Sequence, residues 1–305
     1  MVERLQRTPD IKQGRQTMSS IKIETHGAIF YLPYFVARDK GYFVDEGLDV
    51  ELVPKPAPPE GELEIVEDPR ELNSFHTFTL FESGTTQLYN ACEWGQLRRS
   101  QDSSRGGRVV ARRAAVASQA IVVRPDSPYN VATDLAGVPV GVNFHHGSHY
   151  LVLQTLEGFL PRPDIKLVGI KGKSRLDALA DGDIDAVALM EPWITVAEKR
   201  GFKVIAEAHY YGAEVAGDEI SADDFEKINK AISRAVDDIQ ADPRSHVSYL
   251  IDQAAGVEKL EPEDFRLSRL RYIHPGPYPE EEYNRILDWI AGWGLIDADN
   301  EYSRL

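Results

Sequence analysis

Three of the chain's eight histidines, His145, His146 and His149, fall within five positions of the stretch VGVNFHHGSHYLVLQTLEG (140–158). Gly147 and Ser148 lie among them. Three kinds of chemistry use such residues. A pair of imidazoles with a carboxylate holds zinc. A histidine titrating near neutrality carries protons. A turn that opens a helix presents backbone N–H groups and the positive end of the helix dipole to an anion. His145 and His149 have the i, i+4 spacing of a helical metal pair, but Gly147 and a turn between them spoil that geometry, so no metal site is expected. The run ending at Phe144 is apolar like a short buried strand, and Ser148 is of N-cap type. An anion pocket is the favoured reading, with a solvated turn of no role as the alternative.

Further polar and aromatic residues sit where strands should end, which in an α/β sheet is where ligands bind. His26 and Phe30 follow a first strand-like run. His76 lies within a second, SFHTFTLF, and Glu82 and Thr85 follow it. Ser118 and Gln119 stand in a small-residue stretch, and Glu191 and Trp193 follow VALM. Trp193 offers a flat face to an aromatic or apolar ligand body, or simply anchors a helix start. Glu82 and Glu191 do not suit a purely anion-binding cleft. They suggest a ligand with a donor group, or an acid or base. The single cysteine, Cys92, lies in LYNACEWGQL, which reads as helical and as inert packing. One cysteine permits neither an internal disulfide nor a cysteine-rich zinc site.

These residues need elements to hold them. SIKIETHG alternates as a strand, LPYFVARDKGYF has helical spacing with a stop at Gly41, and LDVELV is a second strand. PKPAPPEGELEIVEDPRE reads as an exposed loop with room for one short strand, and ESGTTQLYNACEWGQLRR as a helix. Two strand-like runs follow in GRVVARRAAVASQAIVV. Strand and helix then alternate through IKLVGI, KSRLDALADGD, IDAVALM, EPWITVAEKRG and FKVIAEA. The pattern predicts an α/β fold with parallel sheets. From Ser221 it turns helical, with SADD as a capping box and a stripe of Phe225, Ile228, Ile232, Val236 and Ile239.

At 305 residues the chain is long enough for two lobes, and 42% hydrophobic residues supply their cores. A net charge of −15 argues against nucleic acid as a partner. No apolar run is long enough for membrane insertion. Residues 1–20 contain no apolar signal region, so a flexible segment and a cytoplasmic location are expected, whether the start is Met1 or Met18.

FYLPYFVARDKGYFVDEGLDVELV resembles the opening of solute-binding proteins of the nitrate, sulfonate, taurine and thiamine-precursor group. DLAGVPVGV…GSHYLVLQTLEG and LADGDIDAVALMEPW resemble that group's later signatures, in the same order. The resemblance runs from about residue 22 to 293. It implies a periplasmic-binding-protein-like (type II) α/β fold of two lobes joined by crossover strands and closing by a hinge. The lobes would be 21–116 plus 213–305 and 117–212, with crossings at Ala117–Gln119 and near Tyr211. The same scaffold also carries enzymes, among them aromatic sulfinate desulfinases and the fungal-type thiamine-pyrimidine synthase. The chain departs from the first by having THGAIF, with His26, where a cysteine nucleophile belongs, and FESG in place of an Arg-x-Gly-Gly element. It has nothing like the cysteine-rich iron-binding run of the second.

The expected activity is binding of a small, anionic or aromatic organic ligand without a cofactor, with an ABC permease as partner if the protein is exported. The alternative is a cytoplasmic lyase or hydrolase using His26, Glu82 and His149 as acid or base.

Overall fold

A computed structural model describes residues 18–56, 61–75, 79–105 and 107–296. Most of the N-terminal segment, residues 1–17, and the candidate His76 lie outside these described residues.

The chain opens with the expected strand, helix and strand. β1 (Ser19–Thr25) buries Ile21 and Ile23, and α1 (Ala28–Asp39) buries most of its length beneath the first lobe's remaining helices. Gly41, at φ 75°, makes the turn into the short α2 (Tyr42–Asp45), and β2 (Leu48–Pro54) returns parallel to β1 from Ser19↔Leu48 to Thr25↔Pro54. The proline-rich segment does contain one short strand, β3 (Glu64–Val66).

Two readings of the next region are corrected. The end of SFHTFTLF, with Glu82 after it, forms a helical turn, α3 (Thr79–Glu82). The strand is instead β4 (Leu88–Cys92), inside the stretch read as helix, and α4 (Glu93–Asp102) begins only after it. All five β4 residues are buried. A strand covered on both faces has no alternation to distinguish it from a buried helical turn.

The rest of the alternation is as read: β5 (Arg108–Arg112), β6 (Ala115–Val123), β7 (Pro139–Val142), α5 (Gly147–Glu157), β8 (Lys166–Lys171), α6 (Arg175–Ala180), β9 (Ala186–Leu189), α7 (Trp193–Lys199) and β10 (Lys203–Tyr210). A further strand, β11 (Gly212–Ala216), is not among the strands expected from the sequence. β7 stops at Val142, two residues before Phe144. The long α8 (Ala222–Ala241) starts from the Ser221 cap and buries the predicted apolar stripe. α9 (Ser248–Ala254), β12 (Arg271–Tyr272) and α10 (Glu280–Gly292) follow among the described residues.

These strands form two sheets, ordered β2-β1-β4-β11-β5 and β10-β6-β9-β7-β8-β3, with β12 paired to β6. The sheets are mixed, a further correction. β11 is antiparallel to β4 and β5, and β6 is antiparallel to β9 and β10. The physical reason is that the chain changes sheets without a crossover helix. It passes from β5 to β6 through Arg113 and Ala114, and from β10 to β11 through Tyr211 alone. The Arg113 amide donates to the Gly212 carbonyl at 2.7 Å, tying the two crossings together. Among the described residues no helix is long and apolar enough to cross a membrane.

Candidate functional site

Where the two crossings meet, Arg113 is 1% exposed. Its guanidinium carbon lies 4.6 Å from the centre of the Phe30 ring and 5.3 Å from that of Tyr210. Nε donates to the Ala115 carbonyl at 3.0 Å, while Nη2 is buried without a hydrogen-bond partner among the described residues. Gly212 makes room for it, since a Cβ there would stand 2.6 Å from the Arg113 guanidinium carbon. A buried guanidinium with an unused N–H is costly unless something polar meets it.

Ser118 and Gln119 of β6 are 0% and 5% exposed, and Ser118 Oγ and Gln119 Oε1 are likewise without a partner. The Tyr210 hydroxyl rests on the first residue of α5, where a Cβ on Gly147 would collide with it. No side chain caps that helix at His146.

The first sheet contributes titratable groups. Glu24 is fully buried and accepts from the Phe81 amide at 2.8 Å, and burial pushes its carboxyl up to about 7, against the pull of that bond, Lys55 and Arg99. Glu214 sits on β11 opposite Asn90, and burial raises it to about 8. His26 packs edge-on to Phe30 and Tyr31, and is held well below the usual imidazole range by burial and by the charges of Lys55, Arg113 and Arg99. Three cations therefore face two carboxyls, Glu24 about half protonated and Glu214 mostly protonated near neutrality. The balance is positive, and it favours an anion.

The histidine turn is built differently from its sequence reading. His145 takes φ 62°, a left-handed conformation costly for a non-glycine residue. Its Nε2 donates to the Pro69 carbonyl at 2.7 Å, its carbonyl accepts from Arg99 Nη2 at 3.0 Å, and its amide donates to His149 Nδ1 at 3.2 Å. Burial keeps His149 well below its ordinary pKa, and it packs on Phe144 and Tyr150. Ser148 is not the N-cap, a role its position gives to His146. The Ser148 hydroxyl accepts from the Asn143 amide at 3.0 Å and closes the turn. Among the described residues no group of three or more His, Cys, Asp or Glu is placed to hold a metal ion.

The remaining candidates lie on two other networks. Glu82 accepts from Ser103 Oγ at 2.9 Å and from the Ser104 amide at 2.6 Å, with the Ser104 hydroxyl bonded to it as well, while Thr85 is exposed and bonded to Ser83. Glu191 is fully buried, held by the Thr195 hydroxyl at 2.8 Å and by Arg269 Nη1 at 3.2 Å. Trp193, half-buried, packs against the main hydrophobic core. The structure thus brings Phe30 against Arg113 with His26 packed on Phe30, keeps Ser118 and Gln119 buried on β6, and spends Glu82 and Glu191 on loop and helix anchoring.

Residues 17–211 match the profile of the NMT1-like family. The chain belongs to the NMT1-like family. A comparison with curated proteins finds no match. Among solved structures, this NMT1-like chain is similar to the alkanesulfonate-binding protein SsuA of Xanthomonas axonopodis pv. citri bound to MOPS, at 14% identity and TM-score 0.69, covering 92% of this chain and 94% of that one. It is similar to the periplasmic aliphatic sulphonate binding protein SsuA of Escherichia coli at 15% identity and TM-score 0.67, covering 91% and 94%. The desulfurization enzyme DszB, in a mutant complex with biphenyl-2-sulfinic acid, matches at 16% identity and TM-score 0.59, covering 91% and 93%. At these identities the likeness shows the fold, which is the periplasmic-binding-protein fold expected.

In this NMT1-like chain the sequence reading missed Arg113, Glu214, Glu24 and Tyr210. A signal for two of them was present. Glu214 interrupts the small apolar run YGAEVAG, and Arg113 stands beside AAVA, so each is a charge in a segment that must be covered on both sides. A charge in such a place requires a partner. Tyr210 carried no such mark, because an aromatic residue ending a strand is ordinary packing.

Proposed function

We propose that the protein binds a small organic anion with an aromatic or apolar body in the cleft between its two sheets, the anionic group meeting Arg113. The carrying observation is the buried, partner-short guanidinium between Phe30 and Tyr210. Planar guanidinium favours carboxylate, sulfonate and sulfinate groups, and the rings suit a flat body. Proteins of the same fold that bind alkanesulfonates or are complexed with biphenyl-2-sulfinic acid support that ligand class. Residues 21–116 with 213–305, and 117–212, are the units proposed to move about the crossings, and delivery to a permease is the transport form of the same reading. Mass spectrometry of the native purified protein tests it. A retained organic anion, lost on Arg113→Ala, is the expected result, and a retained cation contradicts it. The cytoplasmic location expected from the sequence is checked separately by cell fractionation.

A second reading, a lyase or hydrolase, is favoured by one observation. Glu24 and Glu214 are raised by burial to about 7 and about 8, the range of a general acid at neutral pH. Glu82 and His149 are bonded into their own loops, which leaves His26 as the histidine candidate. Chemical change of a bound anion, abolished by His26→Ala or Glu24→Gln with binding retained, distinguishes catalysis from binding.

A further inference from the structure

α10 lies beyond the residues matched by the family profile, and it touches both halves of the molecule. Its root is fixed to the first sheet. The Arg112 amide of β5 donates to the Gly276 carbonyl at 2.7 Å, Arg112 pairs with Glu282, and the Tyr278 hydroxyl donates to Glu93 at 3.2 Å. Trp289 stands 6.2 Å from Trp94 of α4. The far end of the helix is held by the second lobe. Both Trp289 and Trp293 donate their indole N–H to one oxygen of Glu157, the last residue of α5, at 2.8 and 3.3 Å. Arg162 donates to the Gly292 carbonyl at 2.7 Å, and its guanidinium carbon lies 4.5 Å from the centre of the Trp293 ring. Trp289 and Leu295 pack on both large hydrophobic clusters, and Trp293 on the second alone.

The root and the tip of this helix therefore sit on bodies that are also joined through the crossings at Arg113 and Tyr211, through the β12–β6 pairing and through ion pairs such as Arg269 with Glu198. Rotation about those crossings cannot separate the lobes while both ends of α10 stay seated. The root attachments include a backbone bond at the edge of the first sheet. The tip attachments are side chains converging on Glu157 and Arg162, each more than a quarter exposed. The tip is the weaker end, and local opening begins where buried contact is least.

We propose that α10 is a strap that holds the cleft shut, rooted on the first sheet and latched to the second lobe by Glu157 and Arg162. It must unlatch before the lobes can part. This rests on the reading that the cleft opens to exchange its ligand, but its test needs no ligand.

The test is hydrogen exchange by mass spectrometry on the full ligand-free chain, comparing wild type with the double variant Glu157→Ala, Arg162→Ala and with Trp293→Phe. The strap predicts at least tenfold faster exchange in the double variant at the first turn of α5 and around Tyr210–Gly212. The amides of α8, remote from the latch, keep their wild-type rates. Trp293→Phe keeps an aromatic ring, though a smaller one, and removes one N–H, and it gives a smaller acceleration, of twofold or more, at the same two places. Unchanged exchange there in a folded double variant overturns the strap, as does equal acceleration in α8. If the double variant does not fold, unchanged exchange in Trp293→Phe overturns it. A protein that binds no organic anion yet shows the local acceleration keeps the strap and loses the proposed ligand.

Discussion

The guanidinium carbon of Arg113 lies 4.6 Å from the centre of the Phe30 ring, so the cation of one crossing segment rests on the aromatic face of the first helix. The contact joins the hinge to α1 and leaves Nη2 unused. Cation–π stacking offsets part of the desolvation of the charge, and the unused N–H remains for a ligand oxygen.

Glu214 makes stability depend on pH in a defined direction. Burial lifts its carboxyl from 4.5 to about 8, so the folded protein keeps a proton that the unfolded chain releases. This contribution is complete below about pH 4.5 and is lost as pH rises toward about 8. Glu214→Gln cannot lose that proton. Melting temperatures measured from pH 5 to 8 should fall more steeply for wild type than for Glu214→Gln, with the variant gaining on wild type as pH rises. Parallel curves would show that Glu214 is ionised across the whole range.

Arg269 is fully buried and binds Glu191 at 3.2 Å, Glu198 at 2.7 Å and Glu207 at 2.8 Å. Removing Arg269 leaves the buried Glu191 carboxylate without its cation, and taking away one partner of such a buried pair costs about 3–5 kcal/mol. Arg269→Ala should lower stability in denaturant titration by about that amount, and a change below 1 kcal/mol would show that the network adds little.

Ser148→Ala removes the acceptor that holds the Asn143 amide. A loss of about 1 kcal/mol in stability is expected, with ligand affinity unchanged, because the hydroxyl is already occupied within its own turn. A tenfold loss of affinity in a variant of normal stability would return Ser148 to the ligand site.

Much of the fold is legible in the sequence where periodicity is strong. β1, α1 and β2 follow from alternation, helical spacing and the Gly41 stop, and α8 from its cap and stripe. β4 is hidden because LYNAC is buried on every side and runs straight into the helical EWGQL. The mixed sheets are hidden because RRA and YYG, which carry the chain between sheets, look like any short turn. The histidine cluster marks a real strand-to-helix turn, but the His149 ring accepts from the turn's own backbone and the His145 ring ties it to Pro69. The cation at the centre of the site stands 32 residues before His145, and only the fold brings it beside Tyr210 and the start of α5.

The central claim is that Arg113 receives an organic anion between the lobes, and isothermal titration of wild type against Arg113→Ala tests it most directly. The titrants are aryl and alkyl carboxylates, sulfonates and sulfinates. The account predicts saturable binding of at least one of these by wild type, weakened about tenfold to a hundredfold in Arg113→Ala, as expected for a lost charged hydrogen bond of about 1.5–3 kcal/mol. Equal affinity in the two proteins, or no binding by wild type across the whole class, would contradict it.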